Sequence, residues 1–206
     1  MSASGHWHSV WGTPILTAQL PDNATYLNRL KSLILAEQEN SPGQGAGVVE
    51  AEKTRSDLLK WNDPLINPLR GWIADVADAM NAWTGVGVED GHQLEMIAEA
   101  WAVTYHISGF HRMHTHPGSI WSGVLYVDVG NIEEGYGLIE FLDPRAAAAA
   151  ANVQSEPLYR IAPETGMLLA FPSWLQHWVT PYGSTDHDDV RVCVAFNIGF
   201  TEGSSL

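Results

Sequence analysis

The sequence contains a single cysteine, Cys193, which lies in an apolar run with a strand-like pattern. One thiol cannot form an intrachain disulfide, so a disulfide-stabilised fold is excluded, and we expect Cys193 to be buried and unreactive. No run approaches the roughly eighteen apolar residues that a membrane-spanning helix requires. The first residues also lack the basic and apolar regions of a secretory signal. These absences predict a cytoplasmic protein with no membrane partner.

Basic residues are scarce: 10 lysines and arginines are outnumbered by 24 aspartates and glutamates, for a net charge of −14 at pH 7. A field of this sign repels nucleic acid and anionic membranes, so neither is an expected partner. The 206 residues, 45% of them hydrophobic, suffice for one well-filled domain. Nine tryptophans can supply core or pocket wall, and at the surface they would suit a homodimer interface.

Two segments in the first half of the chain have helical periodicity. Residues 23–39 form an amphipathic pattern capped by Asp22 or Asn23, with a stripe of Leu27, Leu30 and Ile34. Residues 64–83 repeat large apolar side chains at helical spacing, namely Trp72, Val76, Met80 and Trp83. We interpret the second stripe as core packing, because such stripes are more often core than cofactor site.

After Gly91 the pattern changes to a period of two, which is typical of strands. In residues 93–107 one face carries Trp101, Val103, Tyr105 and Ile107, and the other carries Ala98, Ala100, Ala102 and Thr104. Further strands are predicted at residues 120–129, 138–142, 158–161, 167–171, 178–181 and 190–200, with a weak edge strand within residues 11–20.

Two helices followed by seven or more short strands predict a mainly β fold, a sandwich or barrel braced by helices on one side. We expect a single domain over residues 1–206, with helical support at about 21–90 and a β core at about 93–200. The alanine run Ala146–Ala151 is interpreted as a connector, with an inserted helix or a lid over a pocket as alternatives.

Histidines mark the candidate functional centre. His111, His114 and His116 fall within six positions, and His114 and His116 are two apart. In an extended backbone their imidazoles point to the same face, so the pair can bind one metal ion from one side. A third ligand is offered by His177, in the segment FPSWLQHWVTP.

A cation follows in an apolar strand: Arg191 begins the run RVCVAFNIGF. A buried guanidinium must satisfy five donors and a permanent charge, so it requires an anion. A carboxylate suits its planar fork and would form a bidentate pair. The alternative is a surface ion pair between Arg191 and Asp188 or Asp189.

Four segments together resemble a known family: HTHPGSIWSGVLYV, LIEFLDPR, TGMLLAFPSWLQHWVTP and RVCVAFNIGF. They are similar to successive signatures of the non-haem iron, 2-oxoglutarate-dependent oxygenases, particularly to a little-characterised group with prolyl-hydroxylase-like architecture. The resemblance spans roughly residues 96–200. It implies a double-stranded β-helix, a jelly-roll or cupin-like barrel, with Fe(II) at one mouth. It also implies that His114 and His177 bind iron and that Arg191 binds the far carboxylate of 2-oxoglutarate.

The sequence departs from the family pattern at His116. These oxygenases usually carry a carboxylate two residues after the first histidine, which completes a 2-His-1-carboxylate set. Here either three histidines bind the iron, our preferred interpretation, or one is displaced and water or another group fills its place. A second alignment makes His116 the first ligand and places Gly118 at the carboxylate position.

The family chemistry implies that O2 oxidises a substrate C–H bond while 2-oxoglutarate is converted to succinate. We expect a small-molecule or amino-acid-like substrate. Tyr105, Trp121, Ser122 and Tyr126 are candidate pocket residues, and Ser122 and Tyr126 are favoured as cofactor contacts because they share a strand phase. Two alternatives stay open: a cupin-like metalloenzyme that does not use 2-oxoglutarate, such as an isomerase or a three-histidine dioxygenase, and a non-catalytic metal-binding sensor module.

Overall fold

The computed structural model describes residues 12–20, 24–40, 43, 45–84, 94–145 and 157–202. Within these residues two α-helices precede most of the strands: α1 (Ala24–Asn40) and α2 (Ile66–Thr84). The described strands are β1 (Leu16–Gln19), β2 (Val48–Lys53), β3 (Leu94–His114), β4 (Trp121–Asp128), β5 (Ile139–Leu142), β6 (Leu158–Ile161), β7 (Met167–Pro172), β8 (His177–Val179) and β9 (Arg191–Glu202). None of the helices in this part of the chain is long and apolar enough to cross a membrane.

The described strands form a curled antiparallel sheet in the order β1-β7-β4-β9-β3-β8-β5-β6, with β2 paired to β3. The 21-residue strand β3 links the two walls of the barrel. Its first part pairs with β9 as far as Tyr105, and its last part pairs with β8 at His111 and His114. The mainly β, double-stranded β-helix fold expected from the sequence is confirmed.

A backbone irregularity, formed by one residue on β3 and one on the neighbouring strand β2, separates the two parts of β3. Ser108 on β3 and Glu50 on β2 both have positive φ, at 66° and 45°, where the register between these strands shifts. Positive φ is uncommon for residues other than glycine. Two backbone hydrogen bonds stabilise this irregular stretch of β3. Ser108 N–H donates to Tyr182 O, and Tyr182 N–H donates to Gly109 O, both at 2.8 Å.

Two cores lie on opposite faces of the sheet. The outer core joins the helices to the sheet, where α1 and α2 pack against alternate residues of β9, namely Val192, Val194, Phe196 and Ile198. The inner core fills the barrel with Val103, Tyr105, Tyr126, Phe141 and Cys193. Because successive side chains of a strand point to opposite faces, Arg191, Cys193 and Asn197 share the inner side of β9. The expectation that Cys193 is a buried free thiol is confirmed.

The two predicted helices are confirmed within two residues at each end, and Leu27, Leu30 and Ile34 are buried as expected. The assignment of Trp83 to the core is wrong, because its side chain is 64% exposed. Trp83 lies in the last turn of α2, beyond Met80, the last buried side chain of the helix. The buried stripe instead comprises Ile66, Leu69, Ile73, Val76, Ala77 and Met80.

The predicted strands are present, and β1 lies at the edge of the sheet as expected. The sequence pattern missed β2 and the final seven residues of β3. The caps Asp22 and Asn23 and the run Ala146–Ala151 lie outside the described residues. The single domain over residues 1–206, the cytoplasmic location and the homodimer stay predictions.

Candidate metal centre

Three histidines meet where β3 ends and β8 begins. His114, the last residue of β3, is the cross-strand partner of His177, the first residue of β8. His116 follows β3, and its backbone N–H donates to Ser173 O at 2.8 Å, which holds it beside the turn that precedes β8. One nitrogen from each ring lies within 4.8 Å of the others. The three rings could therefore hold one metal ion.

Backbone hydrogen bonds orient two of these rings. His114 Nδ1 lies 2.7 Å from Arg112 O, and His177 Nδ1 lies 2.8 Å from Leu175 O. Because a carbonyl oxygen only accepts, each Nδ1 carries the proton and donates. In a neutral imidazole the Nε2 atom then keeps its lone pair, which is the form that binds a metal. His116 Nε2 lies 3.4 Å from His177 Nε2.

The surroundings of the cluster favour the neutral form of each ring. Burial, reinforced by neighbouring His114 and Lys53, lowers the pKa of His116 to about 4. Burial also lowers the pKa of His177 to about 3 and shifts the pKa of His114 downward. Among the described residues, the group able to hold a metal consists of these histidines with no carboxylate.

His111 supports the cluster from the side. Its ring stacks on the His114 ring with centroids 4.0 Å apart, and its Nε2 lies 3.5 Å from Lys53 Nζ. Burial, followed by the charges of His114 and Lys53, lowers the pKa of His111 to about 2. Lys53 also donates to Ala46 O at 2.7 Å. Sequence reasoning missed Lys53, because it lies on the unpredicted strand β2.

A cavity extends from the histidines into the barrel. The space between its lining atoms totals about 470 Å³, counting its open mouth. Trp101, Tyr105, Tyr126 and Arg191 line this cavity together with the three histidines. Apolar side chains form much of the remaining wall, including Val103, Val124, Phe171 and Val179.

Arg191 lies deep in this cavity with 1% of its surface exposed. Its Nη1 donates to Gly137 O at 2.6 Å, and its guanidinium carbon lies 5.2 Å from the Tyr105 ring and 5.0 Å from the Tyr126 ring. Arg191 makes no ion pair with a described carboxylate. Asp189, the surface alternative, instead accepts from Tyr182 Oη at 2.7 Å.

Among the described residues, three buried polar atoms on this cavity find no hydrogen-bond partner of good geometry: Trp101 Nε1, Tyr126 Oη and Arg191 Nε. A buried polar atom without a partner costs about 1–3 kcal/mol. Burial raises the pKa of Tyr126 despite the opposing charge of Arg191, so its phenol stays a donor at neutral pH. Donors of this kind suit an anionic ligand that accepts hydrogen bonds, such as the carboxylate of 2-oxoglutarate. Neutral imidazoles likewise suit Fe(II).

The structure separates the other candidate pocket residues from this group. Ser122 does not line the cavity, and its hydroxyl donates to Asn197 Oδ1 at 2.8 Å. Trp121 belongs to the outer core, where its Nε1 donates to Asn81 Oδ1 at 2.8 Å. Trp101 was not singled out from the sequence, although its shared strand face with Tyr105 was a usable signal.

The segment that carries these residues matches a known family. Residues 99–197, which run from β3 into β9, match the model of a family described as "Putative 2OG-Fe(II) oxygenase". This segment contains His114, His116, His177 and Arg191. No curated protein sequence matches the chain.

Solved structures of several oxygenases resemble this fold. A prolyl-4-hydroxylase from Pseudomonas putida has a TM-score of 0.60 at 16% identity, covering 92% of this chain and 93% of that one. A prolyl hydroxylase from Trichoplax adhaerens, in complex with a hypoxia inducible factor peptide fragment, has a TM-score of 0.59 at 12% identity, covering 90% and 83%. HygX from Streptomyces hygroscopicus, with nickel, 2-oxoglutarate and hygromycin B bound, has a TM-score of 0.56 at 12% identity, covering 91% and 83%.

At these identities the structural likeness demonstrates a shared fold. The family match covers the β-helix segment that holds the histidine cluster and the buried arginine. Fold, family match and donor chemistry agree on one class of enzyme and on its two cofactors, Fe(II) and 2-oxoglutarate. Residues 99–197 therefore match the Fe(II)/2-oxoglutarate-dependent oxygenases, and the chain shares the fold of these enzymes.

Proposed function

We propose that the protein hydroxylates, or otherwise oxidises at a C–H bond, a small-molecule or amino-acid-like substrate. In this proposal His114, His116 and His177 bind iron, and Arg191 anchors 2-oxoglutarate. One observation carries it: the three histidines and the unpartnered donors of Arg191, Tyr126 and Trp101 line the same cavity. Iron would bind the three imidazoles, and 2-oxoglutarate would accept hydrogen bonds from the unpartnered donors.

His116 makes the proposed centre unusual among its relatives. A neutral imidazole in place of a carboxylate leaves the bound ferrous ion with one more unit of positive charge. We expect this charge to strengthen the binding of anionic 2-oxoglutarate. When bound, Fe(II) supplies the activation of O2 that couples conversion of 2-oxoglutarate to succinate with oxidation of the substrate.

The residues of the chain hold the co-substrate and exclude water. In this proposal Arg191 Nε and Tyr126 Oη donate to the carboxylate of 2-oxoglutarate, while Gly137 O accepts from Nη1 and holds the guanidinium. The rings of Tyr105 and Tyr126, near the guanidinium, restrict its movement. Ser122 is left out of the proposed cofactor site, because its hydroxyl is bonded to Asn197.

The substrate class is supported by the named relatives. Two similar structures are prolyl hydroxylases, and a third holds the small molecule hygromycin B. A prolyl residue and a bound small molecule both fall within the proposed substrate class. The strong negative charge of the chain disfavours nucleic acid as a substrate.

The test combines binding and turnover. Metal-free protein is titrated with Fe(II) and 2-oxoglutarate without oxygen, and chelation is followed by its charge-transfer absorption. Oxygen is then added with panels of amino acids and small molecules, and succinate is measured. We expect one iron per chain, an absorption band that requires both ligands, and succinate release that the correct substrate increases. Iron binding with no band and no succinate would instead favour the cupin-like metalloenzyme, and binding of zinc alone would favour the sensor module.

A further inference from the structure

A row of three polar side chains crosses the inner face of the sheet beyond the cavity. Asn197 on β9 is the cross-strand partner of Glu99 on β3 and of Ser122 on β4. Ser122 Oγ donates to Asn197 Oδ1 at 2.8 Å, and Asn197 Nδ2 donates to Glu99 Oε1 at 3.1 Å. Ser122 and Asn197 are 1% and 8% exposed, whereas the Glu99 carboxylate lies at the surface. Two buried side chains therefore hold one exposed carboxylate in place.

This polar row lies beyond the cavity-lining residues of β9, on the side away from Arg191. Along the inner face of β9, Arg191 is followed by Cys193 and Ala195, which line the cavity, and then by Asn197. The same order holds on β3, where Trp101 lines the cavity and Glu99 comes before it. Since alternate residues of a strand share a face, the row forms the next level of the inner face beyond Trp101 and Ala195.

A surface pocket lies on this row. Its lining includes Ile97, Glu99, Pro117, Ser119, Asn197 and Gly199, with a volume of about 600 Å³ that includes open solvent. The turn at residues 117–119 directly follows His116 and is closed by Ser119 N–H donating to His116 O at 3.4 Å. The pocket therefore begins next to the histidine cluster.

The negative charge of Glu99 has no cationic partner within the described part of the chain. Glu99 forms no ion pair there, and no lysine or arginine is among the residues that line the pocket. Asn197 occupies one carboxylate oxygen, Oε1. The other oxygen can accept a hydrogen bond from a ligand, and a cationic donor makes the strongest bond of this kind.

We propose that this pocket binds the substrate and that Glu99 accepts a hydrogen bond from a protonated amine of the substrate. Asn197 and Ser122 are positioning residues that hold the carboxylate toward the pocket. The apolar side chains of Ile97 and Pro117 contact the carbon skeleton beside the amine. This inference rests on the proposed function, and it assigns the substrate to the small molecules that carry an ammonium group.

The experiment uses three probes of similar length and different charge: hexylamine, 1-hexanol and hexanoate. The protein is loaded with Mn(II) and 2-oxoglutarate, and paramagnetic relaxation of the probe protons is measured by NMR as each probe is titrated. We expect saturable relaxation for hexylamine, with an affinity at least about tenfold above that of the other two probes, as a charge-assisted hydrogen bond provides. Glu99→Gln should weaken hexylamine binding by about the same factor, and Glu99→Lys should shift the preference to hexanoate.

Glu95→Gln is the matched control. Glu95 is an exposed carboxylate on the same strand and the same face, four residues earlier, and it does not line the pocket. This variant should bind hexylamine as the unaltered protein does. Equal relaxation of all three probes, or an unchanged hexylamine affinity in Glu99→Gln, would overturn the inference. Failure of the unaltered protein to bind Mn(II) or 2-oxoglutarate would overturn the proposed function instead.

Discussion

His114 and His177 are cross-strand partners, and each donates its Nδ1 hydrogen to the carbonyl oxygen of the residue two positions earlier in the chain. The acceptors are Arg112 O and Leu175 O. Each ring is thus oriented by its own local backbone. Removal of one ring should therefore leave the other correctly placed, so that the loss of each ligand can be measured separately.

His177→Ala is expected to abolish stable metal binding while leaving the fold intact. Loss of a residue that only orients a ligand typically costs 10- to 100-fold in metal affinity, so loss of the ligand itself should cost more than about 100-fold. Metal content of the purified variant and Mn(II) titration provide the measurement. His187→Ala, which removes an exposed histidine, is the control and should bind metal normally. A full complement of iron in His177→Ala would contradict the ligand assignment.

Replacement of His116 tests the three-histidine centre. His116→Asp should keep iron bound, because it restores the usual 2-His-1-carboxylate set, whereas His116→Ala should weaken iron markedly. We also expect His116→Asp to bind 2-oxoglutarate less tightly, because the centre loses one unit of positive charge. Iron and 2-oxoglutarate titrations of both variants measure these effects.

The second alignment makes the opposite prediction. If Gly118 occupies the carboxylate position, His114→Ala will be tolerated and Gly118→Asp will strengthen metal binding. Gly118 has a φ of 88°, and a Cβ added there meets nothing within 4 Å, so aspartate can be accommodated at the cost of some backbone strain. Metal affinities of these two variants therefore distinguish the alignments.

Arg191→Lys should weaken 2-oxoglutarate binding with little change in thermal stability. A charge-assisted hydrogen bond contributes about 1.5–3 kcal/mol, which corresponds to an affinity loss of roughly 10- to 150-fold. Isothermal titration with 2-oxoglutarate and a melting curve without ligand provide the comparison. The exposed Arg112, changed to lysine, is the control. Unaltered affinity, or a large fall in melting temperature, would indicate a structural role for Arg191.

Tyr126→Phe removes a hydroxyl that makes no hydrogen bond of good geometry to the described residues. The ligand-free variant should be as stable as the unaltered protein or more stable, because burial of an unpaired polar group is unfavourable. Binding of 2-oxoglutarate should weaken by about 3- to 10-fold, the equivalent of one ordinary hydrogen bond. Chemical denaturation and ligand titration measure the two effects. A variant that is less stable yet binds 2-oxoglutarate normally would show that the hydroxyl serves the fold.

Acid should destabilise the metal-free protein. Burial holds the pKa of His116 at about 4 and that of His177 at about 3 in the folded state, both below the ordinary value of about 6.5. Between these values the unfolded chain binds more protons, so the free energy of unfolding falls as pH decreases below about 6.5. Urea denaturation between pH 7.5 and pH 5.5, in the presence of a chelator, measures this loss. His177→Phe should flatten the dependence, and a flat profile in the unaltered protein would contradict it.

The sequence predicted those parts of the site that depend on local spacing. His114 ends β3, His116 follows two residues later, and His177 begins β8, so a group of three histidines could be predicted from their spacing and the family pattern. Ser122 was misplaced by the same reasoning. It shares its strand phase with Tyr126, but it lies four residues away, at the level of Asn197. The face on which a side chain lies can be predicted from the local sequence. The level of that side chain along the barrel depends on pairing with β9, which the local sequence does not reveal.

The partners of the polar groups were also beyond local reasoning. The contact between His111 and Lys53 depends on β2, whose pattern is too weak to predict a strand. Arg191 has no carboxylate partner among the described residues, because Asp189 accepts a hydrogen bond from Tyr182 instead. Such features arise from contacts between residues far apart in the chain. Only the folded arrangement reveals them.

The backbone irregularity at Ser108 and Glu50 has an evolutionary consequence. Tyr105 contacts the guanidinium at one end of this stretch of β3, and His114 joins the metal cluster at the other. Gain or loss of a single residue between them would turn the His114 side chain to the opposite face of the sheet, away from His177. Natural variants of this chain should therefore differ in length within their connecting loops, while the distance in sequence from the tyrosine to the histidine stays constant.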